Sequence, residues 1–218
     1  MHLSNECYSY QMDVARPWAP IRSRIDMEVV RVLCGITRPL TGRNVARLVR
    51  SGSQPAVNAA LGRLAEEGIV EAQEAGNAFL YTLNREHLAS PALEALADVR
   101  SELIRRMQSE VEAWKVQPQH VSIFGSAARG DGDTRSDIDI FVVRPPRVDS
   151  DDGAWRNQLD RLADRVNAWT GNRAAIAEVA SADVRRLRRE RPPVVEELLR
   201  DAITLAGPAP DRMLRPRA

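Results

Sequence analysis

Hydrophobic positions recur at helical spacing along most of the chain and switch to strand-like runs at a few places. After Asp26, the residues Met27, Val30, Leu33 and Ile36 fall on one helical face until Pro39 blocks continuation. Thr41 is placed to cap a second short helix over 42–49, with Val45 and Leu48 inward. Ser53 can cap a third helix that has Pro55 in its first turn and Val57, Leu61 and Leu64 inside, ending near Gly68. Residues 69–72 and 79–83 then read as two strands around a Gly76-Asn77 turn, a β-hairpin.

Three helices and a hairpin resemble a winged helix-turn-helix, over roughly 22–88. Between Thr41 and Leu64 stand Arg43, Arg47, Arg50 and Arg63, with no Asp or Glu, a strip suited to phosphate contacts. Gln54 and Asn58 lie early on the third helix, where amides can reach base edges. A protein-interaction or dimerisation role stays open, because Glu71 and Glu74 make the hairpin non-basic.

Beyond the hairpin, Pro91 opens a pattern that predicts one long helix to about Trp114, capped by Ser90. Leu93, Leu96, Val99, Leu103, Met107 and Val111 form its apolar face, which leaves a bridge between domains or a homodimer seam open. Residues 152–169 predict an amphipathic helix with Trp155, Leu159, Leu162, Val166 and Trp169 inward. Residues 173–180 predict a weak, alanine-rich strand, and Pro192-Pro193 breaks a basic helix (Arg185, Arg186, Arg188, Arg189, Arg191). That helix either guides a polyanion or is a solvated face paired with Glu190, Glu196 and Glu197. A last helix is predicted over 194–205.

The chemistry concentrates in VSIFGSAARGDGDTRSDIDIFVV, residues 121–143. A strand ends at Gly125-Ser126 and turns into a short helix, which brings backbone N–H groups close to a phosphate. After a polar loop, Asp137 and Asp139 alternate with Ile138 and Ile140, so both carboxylates share one face of a strand. Two unpaired carboxylates side by side repel, and divalent cations relieve that repulsion.

Gly-Ser, ten residues, then Asp-x-Asp resembles the signature of the DNA polymerase β-like nucleotidyltransferase superfamily, in its minimal form. The resemblance covers about 118–180. It implies that Gly125 and Ser126 bind the nucleotide phosphates, with Arg129 and Ser136 as further nucleotide-binding candidates, and that Asp137 and Asp139 hold two Mg²⁺ ions. It implies in-line attack on the α-phosphorus of an NTP, with release of pyrophosphate. It also implies a third carboxylate on a later strand, acting as metal ligand or base, for which Glu178 is the candidate. Arg129 is placed either to steady the triphosphate or to pair with Asp131 or Asp133. The acceptor stays open among a protein side chain, a small molecule and a nucleic-acid end. The leaning is toward a protein, as in toxin-modifying relatives of a toxin–antitoxin pair. A DNA-binding regulator whose nucleotidyltransferase fold only senses nucleotide is the rival reading.

The expected fold class is α+β. It comprises an irregular segment (1–21), a winged helix-turn-helix domain (22–88), a linker helix (89–116), a nucleotidyltransferase α/β domain with a small mixed sheet (117–207) and a disordered tail (208–218). A net charge of +1 over 218 residues excludes a polycation, so nucleic-acid binding needs local clustering. No apolar run approaches a membrane span, and residues 1–20 carry Glu6 and Asp13 without an apolar core, so a cytoplasmic location is expected. Cys7 and Cys34 lack metal-ligand spacing, and His2, His87 and His120 fall in no catalytic pattern.

Overall fold

The computed structural model describes residue 10 and residues 12–215. The expectations for Cys7, for His2, for most of 1–11 and for the last residues of the tail lie outside the described residues. The fold is mixed α+β with two small sheets, and the chain divides into two compact units at Val99/Arg100.

In the first unit, α1 (Arg24–Cys34) begins at a capping box. The Ser23 Oγ accepts from the Asp26 N–H, and the Asp26 carboxylate accepts from the Ser23 N–H at 2.7 Å. Gly35 caps the helix, so Ile36 lies beyond it. β1 (Leu40–Thr41), α2 (Gly42–Leu48) and α3 (Gln54–Glu66) follow, with the Thr41 and Ser53 hydroxyls accepting from Asn44 and Ala56 N–H. Val45, Val57, Leu61 and Leu64 are fully buried, whereas Leu48, expected inside, is 49% exposed at the end of its helix. β2 (Val70–Ala75) and β3 (Ala78–Leu83) pair antiparallel around Gly76-Asn77, with Gly76 at φ +61. β1 adds to the far side of β3, giving the order β1-β3-β2.

The single helix expected after the hairpin is two. α4 (Ser90–Ala97) ends at Asp98, and α5 (Val99–Glu112) opens the second unit. The apolar stripe misled because its two ends serve different cores. Leu93 belongs to the first, and Met107 and Val111 to the second, while Leu96 and Val99 between them are each 57% exposed. Ser90 does not cap α4 either. Its hydroxyl donates to the Asn84 carbonyl at 2.5 Å.

The second unit is built on a four-stranded sheet of order β6-β5-β4-β7, formed by β4 (His120–Phe124), β5 (Ile138–Arg144), β6 (Ala174–Ala180) and β7 (Ile203–Ala206). β4 runs antiparallel to β5 and β7, and β5 runs parallel to β6. On one face, Val121, Ile123, Ile138, Ile140 and Val142 pack on α5 through Met107 and Val111, and on α7 (Gly153–Thr170) through Trp155, Leu159 and Leu162. On the other, Phe124, Phe141 and Val143 pack on α8 (Val184–Glu190), α9 (Pro193–Asp201) and α10 (Pro210–Leu214). α6 (Gly125–Arg129) leaves the end of β4.

Two expectations fail at the C-terminal end. The helix predicted to run to 205 stops at Asp201, and 203–206 forms β7. The residues placed in a disordered tail include α10, whose Leu214 is fully buried. The apolar side chains of both segments are claimed by the sheet and by the α8–α9 face, contacts with no local signature.

His120 is buried on β4, with Nδ1 2.9 Å from the Pro208 carbonyl and Nε2 3.0 Å from the Ser122 Oγ. Burial holds the imidazole below its ordinary pKa, against the hydrogen bond to Pro208. The unfolded chain therefore takes up a proton below about pH 6.5 that the folded chain refuses, and stability falls as pH drops through that window. The melting midpoint of the second unit is expected to be lower at pH 5.5 than at pH 7.5. An unchanged midpoint would remove His120 as a source of acid lability.

Candidate active site

The turn at the end of β4 and the start of β5 are neighbours in the sheet, with Phe124 in register with Asp139. Gly125 takes φ +66, a left-handed conformation that disfavours any residue with a Cβ. A Cβ there would also press on Oδ2 of Asp139 and lie 3.4 Å from its Cγ. The missing side chain thus lets the Asp139 carboxylate lie directly against the Gly125-Ser126 turn. The loop after α6 folds back over the turn. Gly130 and Asp131 N–H donate to the Ser126 carbonyl at 2.8 and 3.1 Å, and a Cβ on Gly132 would stand 3.0 Å from the Ser126 Oγ.

Asp137 lies just before β5 and Asp139 is its second residue. The charge of Asp137 acts on Asp139. Burial first, then the negative charges of Asp137 and Glu197, push the Asp139 carboxyl above its usual range, while Arg129 opposes. The Asp137 carboxyl is held low by the Arg173 guanidinium, which donates to Oδ2 from Nη2 at 2.6 Å and from Nε at 3.2 Å.

The other candidate residues fall less simply. Arg129 pairs with Asp131 at 3.0 Å and with Asp201 of α9 at 3.3 Å, so it serves carboxylates here and sits close enough for its charge to act on Asp139. The Ser136 hydroxyl is engaged within the loop, donating to Asp133 Oδ1 at 3.1 Å and accepting from Asp133 N–H at 3.0 Å.

Glu178 is not brought to the pair. It is level with Val142, three residues past Asp139, on the face that packs against α7. There it accepts from Trp155 Nε1 and Arg144, both at 2.9 Å, and pairs with Arg156 at 3.4 Å. Strand alternation is the reason: the β6 residues on the Asp139 face are the odd-numbered ones, Ala175, Ala177 and Val179, and none of them is an acid. Among the described residues no group of three or more His, Cys, Asp or Glu is arranged to hold a metal. The acids that do come near, Glu197 and Asp201, are on α9. Their i, i+4 spacing on a predicted helix is the signal that would have found them.

In the first unit, Arg43, Arg47, Arg50, Gln54 and Asn58 are exposed on α2, α3 and the segment between them. Arg63 is not part of that face. Its Nη2 donates at 2.6 Å to Asp26, a carboxylate with no exposure that also accepts from Arg22 N–H, Ser23 N–H and Ser23 Oγ. Arg63 follows Asn58 by five residues on α3, about 140° further round the helix, which takes its side chain off that face and toward α1.

Residues 101–201 match the family model of the nucleotidyltransferase domain. The C-terminal half of the chain therefore carries a nucleotidyltransferase domain. Solved structures with some likeness include a mutant of the toxin-antitoxin MntA-HpeT, at 14% identity and TM-score 0.34, over 50% of this chain and 76% of that one. A toxin-antitoxin crystallised with AMP-PNP matches at 17% identity and TM-score 0.31, over 50% and 75%. A protein from Sulfolobus solfataricus assigned as a nucleotidyltransferase matches at 19% and 0.27, over 49% and 85%. No curated protein matches the chain significantly. Among the described residues, no helix is long and apolar enough to cross a membrane.

Proposed function

We propose that the second unit is a Mg²⁺-dependent nucleotidyltransferase that moves an NMP group from an NTP to an acceptor hydroxyl. The observation that carries this reading is the Asp139 carboxylate lodged against Gly125, which joins the Gly-Ser turn and the aspartate pair into one site. The family match over 101–201 supports it. The donor set fits a divalent cation: adjacent carboxylates, of which Asp139 has no ion pair with a described residue and is pushed toward its neutral form first by burial and then by like charges. Asp137 and Asp139 would hold the metal, which when bound neutralises phosphate charge and acidifies the attacking hydroxyl. The turn at Gly125-Ser126 offers the triphosphate close backbone approach and the Ser126 hydroxyl. Arg129, tethered by Asp131 and Asp201, keeps a positive charge at the pair's edge.

We assign the acceptor to a partner protein, as in a toxin–antitoxin pair, rather than a nucleic-acid end. The basic stretch that would have tracked a polyanion carries its own counter-charges, which leave it little net positive charge: Arg186 pairs with Asp183, Arg189 with Glu190 and Arg191 with Glu196, and Arg188 donates to the Met213 carbonyl. The test is transfer from α-labelled NTP in the presence of Mg²⁺ to proteins and RNA of the native host. Label in a protein band, lost in Asp137→Asn/Asp139→Asn, is expected. Label confined to RNA would overturn the acceptor assignment.

A second role has its own support. The helix, strand and hairpin order of the first unit suits a winged helix-turn-helix, and exposed Arg43 and Arg47 make no ion pair with a described residue. This face would dock on duplex DNA through phosphates, with Gln54 and Asn58 toward the bases. Removing both arginines with Arg43→Ala/Arg47→Ala is expected to weaken binding uniformly across sequences and to lower the salt slope by about 2. Unchanged affinity and slope would assign the unit to protein contacts instead.

A further inference from the structure

Arg173 was no part of the expected site, yet the fold places it there. It ends the turn from α7 into β6, where one hydrogen bond holds its own backbone and two further contacts hold the residues before it. Gly171 caps α7 in a left-handed conformation, the Asn172 amide donates to the Ser136 carbonyl at 2.8 Å, and the Arg173 carbonyl accepts from Ile138 N–H at 2.8 Å. The main chain of Arg173 is therefore pinned beside Asp137 while its side chain is 76% exposed. Both of its bonded nitrogens go to one oxygen, Oδ2. An exposed pair of this kind is weak in water and yields readily to a better partner.

We infer that Arg173 is a positioning residue that exchanges partners when the donor binds: it holds Asp137 in the free protein, cedes that carboxylate to the divalent cation, and turns its guanidinium to the triphosphate. This inference rests on the proposed nucleotidyltransferase site. The charge balance supports it. With Arg173 bonded to Asp137, one of the two neighbouring carboxylates has a counter-charge in the free protein without a metal. A doubly charged ion shared by both carboxylates interacts more strongly than the single guanidinium charge held by one. The released guanidinium stays within a side chain's length of the site, because its carbonyl is bonded to Ile138 N–H, the residue between the two aspartates. A planar fork is suited to phosphate oxygens.

The test compares Mn²⁺ binding, by electron paramagnetic resonance, with binding of a Mn²⁺-loaded non-hydrolysable ATP analogue. It uses the full chain as wild type, Arg173→Ala, Arg173→Lys, Arg135→Ala and Asp137→Asn/Asp139→Asn. Arg173→Ala is expected to bind Mn²⁺ alone on the order of tenfold more tightly and the loaded analogue on the order of tenfold more weakly. Arg173→Lys should restore Mn²⁺ affinity toward wild type but not the analogue's, because ammonium lacks the fork. Arg135→Ala, which removes a nearby arginine 92% exposed on the loop, should change neither by more than about twofold. Wild-type values for Arg173→Ala in both assays, with binding still dependent on the aspartates, would overturn the role of Arg173 and leave the site standing. Tighter Mn²⁺ with unchanged analogue affinity would overturn the exchange onto phosphate. Loss of Mn²⁺ and analogue binding in every protein, wild type included, would overturn both the exchange and the site.

Discussion

Gly125→Ala is expected to lower NTP binding and transfer by about 100-fold or more while the protein stays folded. Two costs coincide at this position. The backbone is left-handed at φ +66, which disfavours an L-residue by ~1–2 kcal/mol. The new methyl would collide with Oδ2 of Asp139, so either the turn or the carboxylate must move. The carboxylate is the softer of the two, and a displacement near 1 Å in a phosphoryl-transfer site costs about 100-fold. Gly153→Ala provides the contrast. A Cβ there meets nothing within 4 Å, and the residue opens α7, so activity and stability should be unchanged or slightly raised. Calorimetric NTP titration beside thermal melting separates the outcomes. Full binding by Gly125→Ala would mean that the turn and Asp139 do not act as one site.

The second large effect is on stability. Asp26→Ala should destabilise the first unit by ~3 kcal/mol or more. The carboxylate is fully buried and accepts from Arg22 N–H, Ser23 N–H, Ser23 Oγ and Arg63 Nη2. Its loss strips the α1 capping box, worth ~1 kcal/mol. It also leaves the Arg63 guanidinium, already carrying a buried Nε without a partner, short of its counter-charge. Arg63→Ala should cost less than Asp26→Ala, and exposed Arg47→Ala should stay within ~0.5 kcal/mol of wild type. Urea unfolding followed by circular dichroism ranks the three. Equal, small effects at Asp26, Arg63 and Arg47 would return Arg63 to the exposed basic face.

These two residues also show where the sequence was legible and where it was not. Local chemistry was readable: the caps at Thr41 and Ser53, the Gly76-Asn77 hairpin, the α7 stripe of Trp155, Leu159, Leu162 and Val166, and the 121–143 motif all rest on neighbours within a few residues. What depended on distant partners was not. Asp26 and Arg63 are 37 positions apart, and nothing local says that they meet. Glu178 occupied a plausible strand, but its face depends on register with β5, and the parallel pairing with Val142 turns it toward Trp155. Arg173 and Glu197 reach the site only because β6 and α9 pack where they do. Leu214 reads as a residue in a Pro-rich tail until the α8–α9 face is present to bury it.

The central claim is that Gly125, Ser126, Asp137 and Asp139 form a Mg²⁺-dependent donor site. Its most direct measurement is calorimetric binding of each NTP to the full chain with and without Mg²⁺, for wild type and Asp137→Asn/Asp139→Asn. The account predicts binding of at least one NTP that requires both Mg²⁺ and the aspartates. A folded wild type that binds no NTP in Mg²⁺, or binds equally without metal and without the aspartates, would contradict it.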